Sequence, residues 1–113
     1  MAHCGIAILG IKDLVEGKPF QFASLAEMDT HLREAEKAFT TRAQALELLE
    51  ANSKIYIEWM SSLSDETLGS TAQLPFGPMP MSAAITLLAD HNRGHASQLE
   101  YLQTIYGDHE WYM

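Results

Sequence analysis

The stretch His91-Asn92-Arg93-Gly94-His95-Ala96-Ser97-Gln98-Leu99-Glu100-Tyr101-Leu102 carries two histidines four residues apart on a predicted helix. Ser82 is placed to cap that helix, which is expected from about Ala83 to Tyr106 with Gly107 as its stop. Residues at i and i+4 lie one above the other, about 40° apart around the axis. The apolar stripe of the same helix reads Ala84, Leu88, His91, His95, Leu99, Leu102, Tyr106. The two histidines therefore belong to the face expected to point at the core, with Asn92 and Arg93 more outward. Gly94 between them costs about 1 kcal/mol of helix propensity relative to Ala, which suggests a close approach there by a neighbouring helix or a ligand.

The rest of the chain also reads as helices. Ala2 to Glu16 is apolar around much of its circumference, through Ile6, Ile8, Leu9, Ile11, Leu14 and Val15, and Gly17 with Pro19 ends it. Ser24-Leu25-Ala26-Glu27 has the form of a capping box, predicting a helix to about Phe39 with Leu25, Met28, Leu32 and Phe39 on one stripe. Thr41-Arg42-Ala43-Gln44 repeats the device and predicts a helix to about Leu63. Whether these two helices form one bent rod is open from the sequence. Leu46, Ser53 and Met60, with Leu49, Tyr56 and Leu63, give the latter helix a narrow seam of seven-residue spacing. Ser64 to Thr67 begins a polar break. Leu74 to Met81 holds three prolines in six residues and is expected to be irregular, packed over an end of the bundle. No stretch shows the period-two alternation of a strand. Trp111 and Tyr112 in the tail are expected to be covered.

These elements predict an all-α antiparallel bundle in one domain, 1–113. The 113 residues are enough to bury a real core. Seven basic against 15 acidic residues give a net charge of −8, which argues against nucleic acid and anionic membranes as partners. The apolar run Gly5 to Ile11 is far short of the ~20 residues that span a bilayer, and no basic region precedes it. The single cysteine, Cys4, excludes an internal disulfide and points to a reducing, cytoplasmic setting.

Two inward imidazoles need partners, and two adjacent imidazolium ions repel. A metal ion satisfies both rings and favours their neutral form. The plainer alternative is a pair of core-edge histidines bonded to carbonyls. The zincin arrangement is excluded, because Asn92 stands where it needs Glu. A divalent ion wants at least a third ligand. His3 suits that role because it opens the most apolar helix. His31 and His109 read as surface residues, Asp90 points about 100° away from His91, and Cys4 reads as a small buried apolar residue.

The string from His91 to Leu102, ending at Gly107, resembles the last helix of the DinB-like (DinB/YfiT) superfamily. Its sharp positions are the two histidines and Gln98, followed by Tyr101-Leu102. Leu63-Ser64-Asp65-Glu66-Thr67-Leu68 resembles the turn after that family's third helix. His3 and the apolar helix after it resemble the element that supplies the family's first histidine. The resemblance implies a four-helix bundle with a divalent metal on His3, His91 and His95, and it assigns no catalytic role to Gln98. The sequence departs from the family in lacking a helix before the one that bears His3, which predicts an apolar surface covered in a homo-oligomer, a dimer, or in part by the helix from Ser24 to Phe39.

The functional expectation is a metal-dependent enzyme, a thiol transferase or hydrolase acting on a small molecule. Three neutral histidines leave open positions on an ion such as zinc, nickel or iron. Tyr101, Asp90 and Glu100 are near in sequence, but each is better read as structural or solvated than as a general base. The alternative is a non-catalytic oligomeric helical protein with a structural or vestigial histidine site. A third reading, a partner-binding helical module, rests on the acidic surface and the apolar stripe alone.

Overall fold

The computed structural model describes residues 1–108. His109, Trp111 and Tyr112 lie outside the described residues. The elements in chain order are α1 (Ala2–Val15), α2 (Leu25–Glu36), α3 (Arg42–Ser62), α4 (Asp65–Leu68), β1 (Thr71–Leu74), β2 (Gly77–Pro80), α5 (Met81–Ala84) and α6 (Leu87–Ile105). The fold is all-α, with one small hairpin.

Local chemistry sets most of the boundaries. The Thr41 hydroxyl accepts from the Gln44 amide at 3.2 Å, and the Gln44 side chain accepts from the Thr41 amide at 3.1 Å. Both halves of this capping box are made, so α3 starts afresh and is not the continuation of α2. At α2 only half the expected box forms. Ser24 accepts from the Glu27 amide, but the Glu27 carboxylate takes the Ala23 amide at 2.7 Å instead of that of Ser24. The helix also ends at Glu36, short of Phe39. Gly17 and Gly107 adopt φ of +86° and +91°, the left-handed conformation that closes a helix without a Cβ penalty.

α1 is the central helix. α3 lies alongside it in the same direction, with Gly5 against Leu48, Leu49 and Asn52, and Ile8 against Tyr56. The approach is tight: a Cβ on Gly5 would sit 3.0 Å from the Leu48 side chain and 3.2 Å from the Leu49 amide. The buried Asn52 donates to the Gly5 carbonyl at 2.9 Å, which satisfies its amide at that contact. α6 crosses in the opposite direction, with Leu88 on Ile8 and His91 and His95 beside His3. α2 also runs back along α1, so that Glu36 at its end reaches His3 at the start of α1.

The core is made of two joined clusters. Ile8, Tyr56 and Leu88 form one; Val15, Ala72, Leu74, Met81 and Ala84 form the other, and Trp59 packs on both. Only half of the seven-residue seam of α3 is realised: Tyr56 is buried, whereas Leu46 is exposed.

Three expectations are corrected. The segment expected to be irregular folds into an antiparallel hairpin, Thr71 opposite Pro80 and Leu74 opposite Gly77. Its first strand does alternate, with Ala72 and Leu74 buried and Thr71 and Gln73 exposed. Four residues are too few for that period to stand out in sequence. The prolines are tolerated because a two-stranded sheet has only edge strands. Ser82 does not cap the last helix either. It lies inside the short α5, and the chain turns at Ile85-Thr86 before α6 begins. The Ile85 carbonyl there accepts from the Tyr56 hydroxyl at 3.0 Å, and the Thr86 hydroxyl bonds back to Ala83. Finally, the apolar stripe of α6 is covered only as far as the histidines. α1 begins level with His91 and His95, and from Leu99 onward α6 extends past it. Leu99, Leu102, Ile105 and Tyr106 are all exposed.

Candidate metal centre

His3 sits in the first turn of α1, and His91 and His95 sit on consecutive turns of α6. The close contact of α1 with α3 at Gly5 and the packing of Leu88 on Ile8 fix the two helices relative to one another. That registry carries His3 to the pair on α6. His3 Nε2 lies 3.2 Å from His91 Nε2, and His95 Nε2 lies 3.2 Å from the same atom. The ligand-capable nitrogens of all three fall within 4.8 Å of one another. All three rings are half-buried.

The far side of each ring is held as well. His3 Nδ1 is 2.9 Å from Glu36 Oε1, His91 Nδ1 is 3.2 Å from Asn92 Oδ1, and His95 Nδ1 is 2.7 Å from Gln98 Oε1. A carboxylate only accepts, so His3 Nδ1 carries the hydrogen. The amide oxygens beside His91 and His95 take the same role. Each Nε2 is then left with its lone pair, and the lone pairs converge. Such a triplet is unfavourable unless a cation or a proton lies among them. Fixing Nδ1–H with an oxygen acceptor is how metal-binding histidines are oriented and made more basic.

The spacing fits one ion. Two imidazole nitrogens about 2.0–2.1 Å from an ion at a tetrahedral angle stand roughly 3.3–3.4 Å apart. The cluster can therefore hold a divalent metal with little movement. The His91 ring is also prepared for it. Burial pushes its pKa below the ordinary 6.5; the hydrogen bond to Asn92 opposes this, and the neighbouring His95 and His3 add to the lowering. The neutral, ligating form is favoured.

The remaining candidates fall elsewhere. His31 is exposed on α2, its ring 5.3 Å from that of Phe22. Asp90 is exposed, 3.9 Å from Arg93. Cys4 is half-buried and outside the cluster. Gly94 is corrected: a Cβ there would meet nothing within 4 Å, so no helix approaches it closely. Glu36 is the residue that sequence reasoning missed. Nothing local marks it, because its partner lies 33 residues earlier.

The profile of the family described as the DinB superfamily matches residues 1–99. The chain belongs to the DinB superfamily. The match takes in His3, Glu36, His91, His95 and Gln98, so the DinB-superfamily assignment covers the whole cluster and its orienting groups. Neither the curated proteins nor the solved structures gave a match.

A cavity of about 460 Å³ adjoins the cluster. It lies between α1 and α2, with His3 and His91 in its wall. No described helix is long and apolar enough to cross a membrane.

Proposed function

We propose that this DinB-superfamily protein is a divalent-metal-dependent enzyme, a thiol transferase or hydrolase acting on a small molecule, with His3, His91 and His95 as the metal ligands. The observation that carries this reading is the convergence of three Nε2 atoms whose Nδ1 partners are all oxygen acceptors. A divalent ion on three neutral imidazoles keeps an open position and lowers the pKa of a coordinated water or thiol, supplying a nucleophile near neutral pH. The protein's own contribution is orientation. Glu36, Asn92 and Gln98 hold the rings, and the adjoining cavity gives a small molecule a place beside them. The net charge of −8 supports a small-molecule substrate over nucleic acid, and the lone Cys4 supports a reducing, cytoplasmic setting.

Elemental analysis of the purified, untagged protein beside His91→Ala tests the site. The expected result is about one divalent ion per chain, absent from the variant while its circular dichroism is unchanged. No ion in the wild type after reconstitution would overturn the proposal.

One observation favours a second reading, an oligomeric protein with a structural histidine site. Leu99, Leu102, Ile105 and Tyr106 expose an apolar stripe on α6 that a second copy, in a dimer, would cover. Sedimentation of the wild type and Leu102→Glu decides it. A dimer converted to monomer supports the stripe as the interface, and a monomeric wild type removes it.

A further inference from the structure

The cavity between α1 and α2 is built to take something apolar. None of the residues of α2, all of them described, is buried. Its inner face, Met28 and Leu32, is half-buried and lines the cavity together with Ile6 and Leu14 of α1. Phe20 and Phe22 close one end, their ring centroids 5.6 Å apart and edge to face. His3 and His91 close the other. A space of about 460 Å³ with such walls is of ligand size.

Charge narrows the class. Lys18 is the only lysine or arginine in the wall, and it is committed: its ammonium pairs with Asp13 at 2.5 Å and with Glu16 at 3.3 Å. Asp29, also in the wall, is paired with Arg33 at 2.8 Å. Besides the imidazoles of His3, His31 and His91, nothing in the wall offers an uncommitted cationic group to a carboxylate or phosphate. The faces of the two phenylalanines carry negative charge density and tolerate a cation better than an anion.

Gly10 belongs to the same wall. It lies within α1 and in the cavity wall, and a Cβ there would meet nothing within 4 Å. Glycine weakens a helix, and no neighbouring protein atom requires it here. Gly10 is exposed, so what its missing side chain leaves is open space along the mouth of the cavity.

We infer that the α1–α2 cavity binds an uncharged or cationic ligand with an aromatic or alkyl body, seated against Phe20, Phe22, Met28 and Leu32 with one end at His3 and His91, and that in the metal-free protein it disfavours anions. This deepens the enzyme reading by naming the class of its small-molecule substrate, and rests on that reading for the reaction alone.

The test uses one body with three heads: 4-phenylbutanol, 4-phenylbutylamine and 4-phenylbutyrate. Each is titrated by calorimetry into the full chain, metal-free and with zinc added. The alcohol and the amine are expected to bind at least tenfold more tightly than the carboxylate in the metal-free protein. Gly10→Leu, which fills the cavity and favours the helix, is expected to weaken both at least tenfold while the fold, checked by circular dichroism, is kept. Phe22→Ala is expected to weaken them less. Binding of the carboxylate as tight as that of the alcohol, or binding indifferent to Gly10→Leu, would overturn the inference. Failure of the metal reading looks different: the probes still bind, and the protein takes up no zinc. A protein that takes up zinc and binds no probe in either form sinks the cavity and leaves the metal site standing.

Discussion

The two sides of α1 are built to opposite ends. Toward α3 the helix is closed: Gly5 lets the backbones approach, Asn52 satisfies a carbonyl at the contact, and Ile8 is fully buried on Tyr56. Toward α2 it is open, with a cavity where a core would otherwise be. The closed side holds His3 in register with α6. The open side leaves space beside that cluster. The two glycines of α1 divide along the same line, Gly5 against Leu48 and Leu49 and Gly10 against empty space.

The largest expected effect separates the two sides by truncation. Ile8→Ala should cost about 2–5 kcal/mol in urea denaturation, because it leaves a hole in close packing. Leu32→Ala, on the cavity side, should cost less than about 1 kcal/mol, since Leu32 is only half-buried and borders the cavity. Equal losses would show that α2 packs on α1 as tightly as α3 does. The glycines sharpen the contrast in sign. Gly5→Ala should destabilise by about 1–3 kcal/mol through crowding of Leu48 and the Leu49 amide. Gly10→Ala should stabilise by about 0.5–1 kcal/mol, because it gains helix propensity and meets nothing. Thermal melts of the pair would settle the signs.

At the junction of the two sides stands Glu36. Glu36→Gln keeps the size of the side chain and loses the charge that holds His3 Nδ1–H. Metal affinity should fall about 10–100-fold, read by competition with a chelating dye, with little change in the melting temperature of the metal-free protein. An unchanged affinity would reduce this hydrogen bond to surface decoration.

The smallest effect is on pH. Burial, with His95 and His3 nearby, holds the pKa of His91 below the ordinary 6.5 against the opposing bond to Asn92. The unfolded chain therefore takes up that proton more readily than the folded one. The stability this group contributes is full above about pH 6.5 and is lost as pH falls through the lower folded value. Denaturation midpoints of the metal-free wild type should decline over that window, and those of His91→Ala should decline less.

The legibility of the molecule divides where local chemistry gives way to long-range packing. The capping box at Thr41, the glycine stops at Gly17 and Gly107, and the four-residue spacing of His91 and His95 are local, and the chain follows them. His3 came from the apolar helix it opens and from the family resemblance. Its meeting with His91 depends on how α1 and α6 pass each other, set by the contact of Ile8 with Leu88. Glu36 was beyond local reading, since α2 must run back the full length of α1 before its carboxylate meets His3. The hairpin was hidden by shortness and by prolines that suit an edge strand. The stripe from Leu99 to Tyr106 shows the converse limit: periodicity marks an apolar face, and only the placement of neighbours decides whether it is covered.

The most direct measurement is a calorimetric titration of the metal-free protein with zinc, run beside His3→Ala and His95→Ala. A single saturable site per chain, lost in both variants, is the predicted result. Zinc uptake that survives the loss of either histidine, or no saturable uptake by the wild type, would contradict a centre built from His3, His91 and His95.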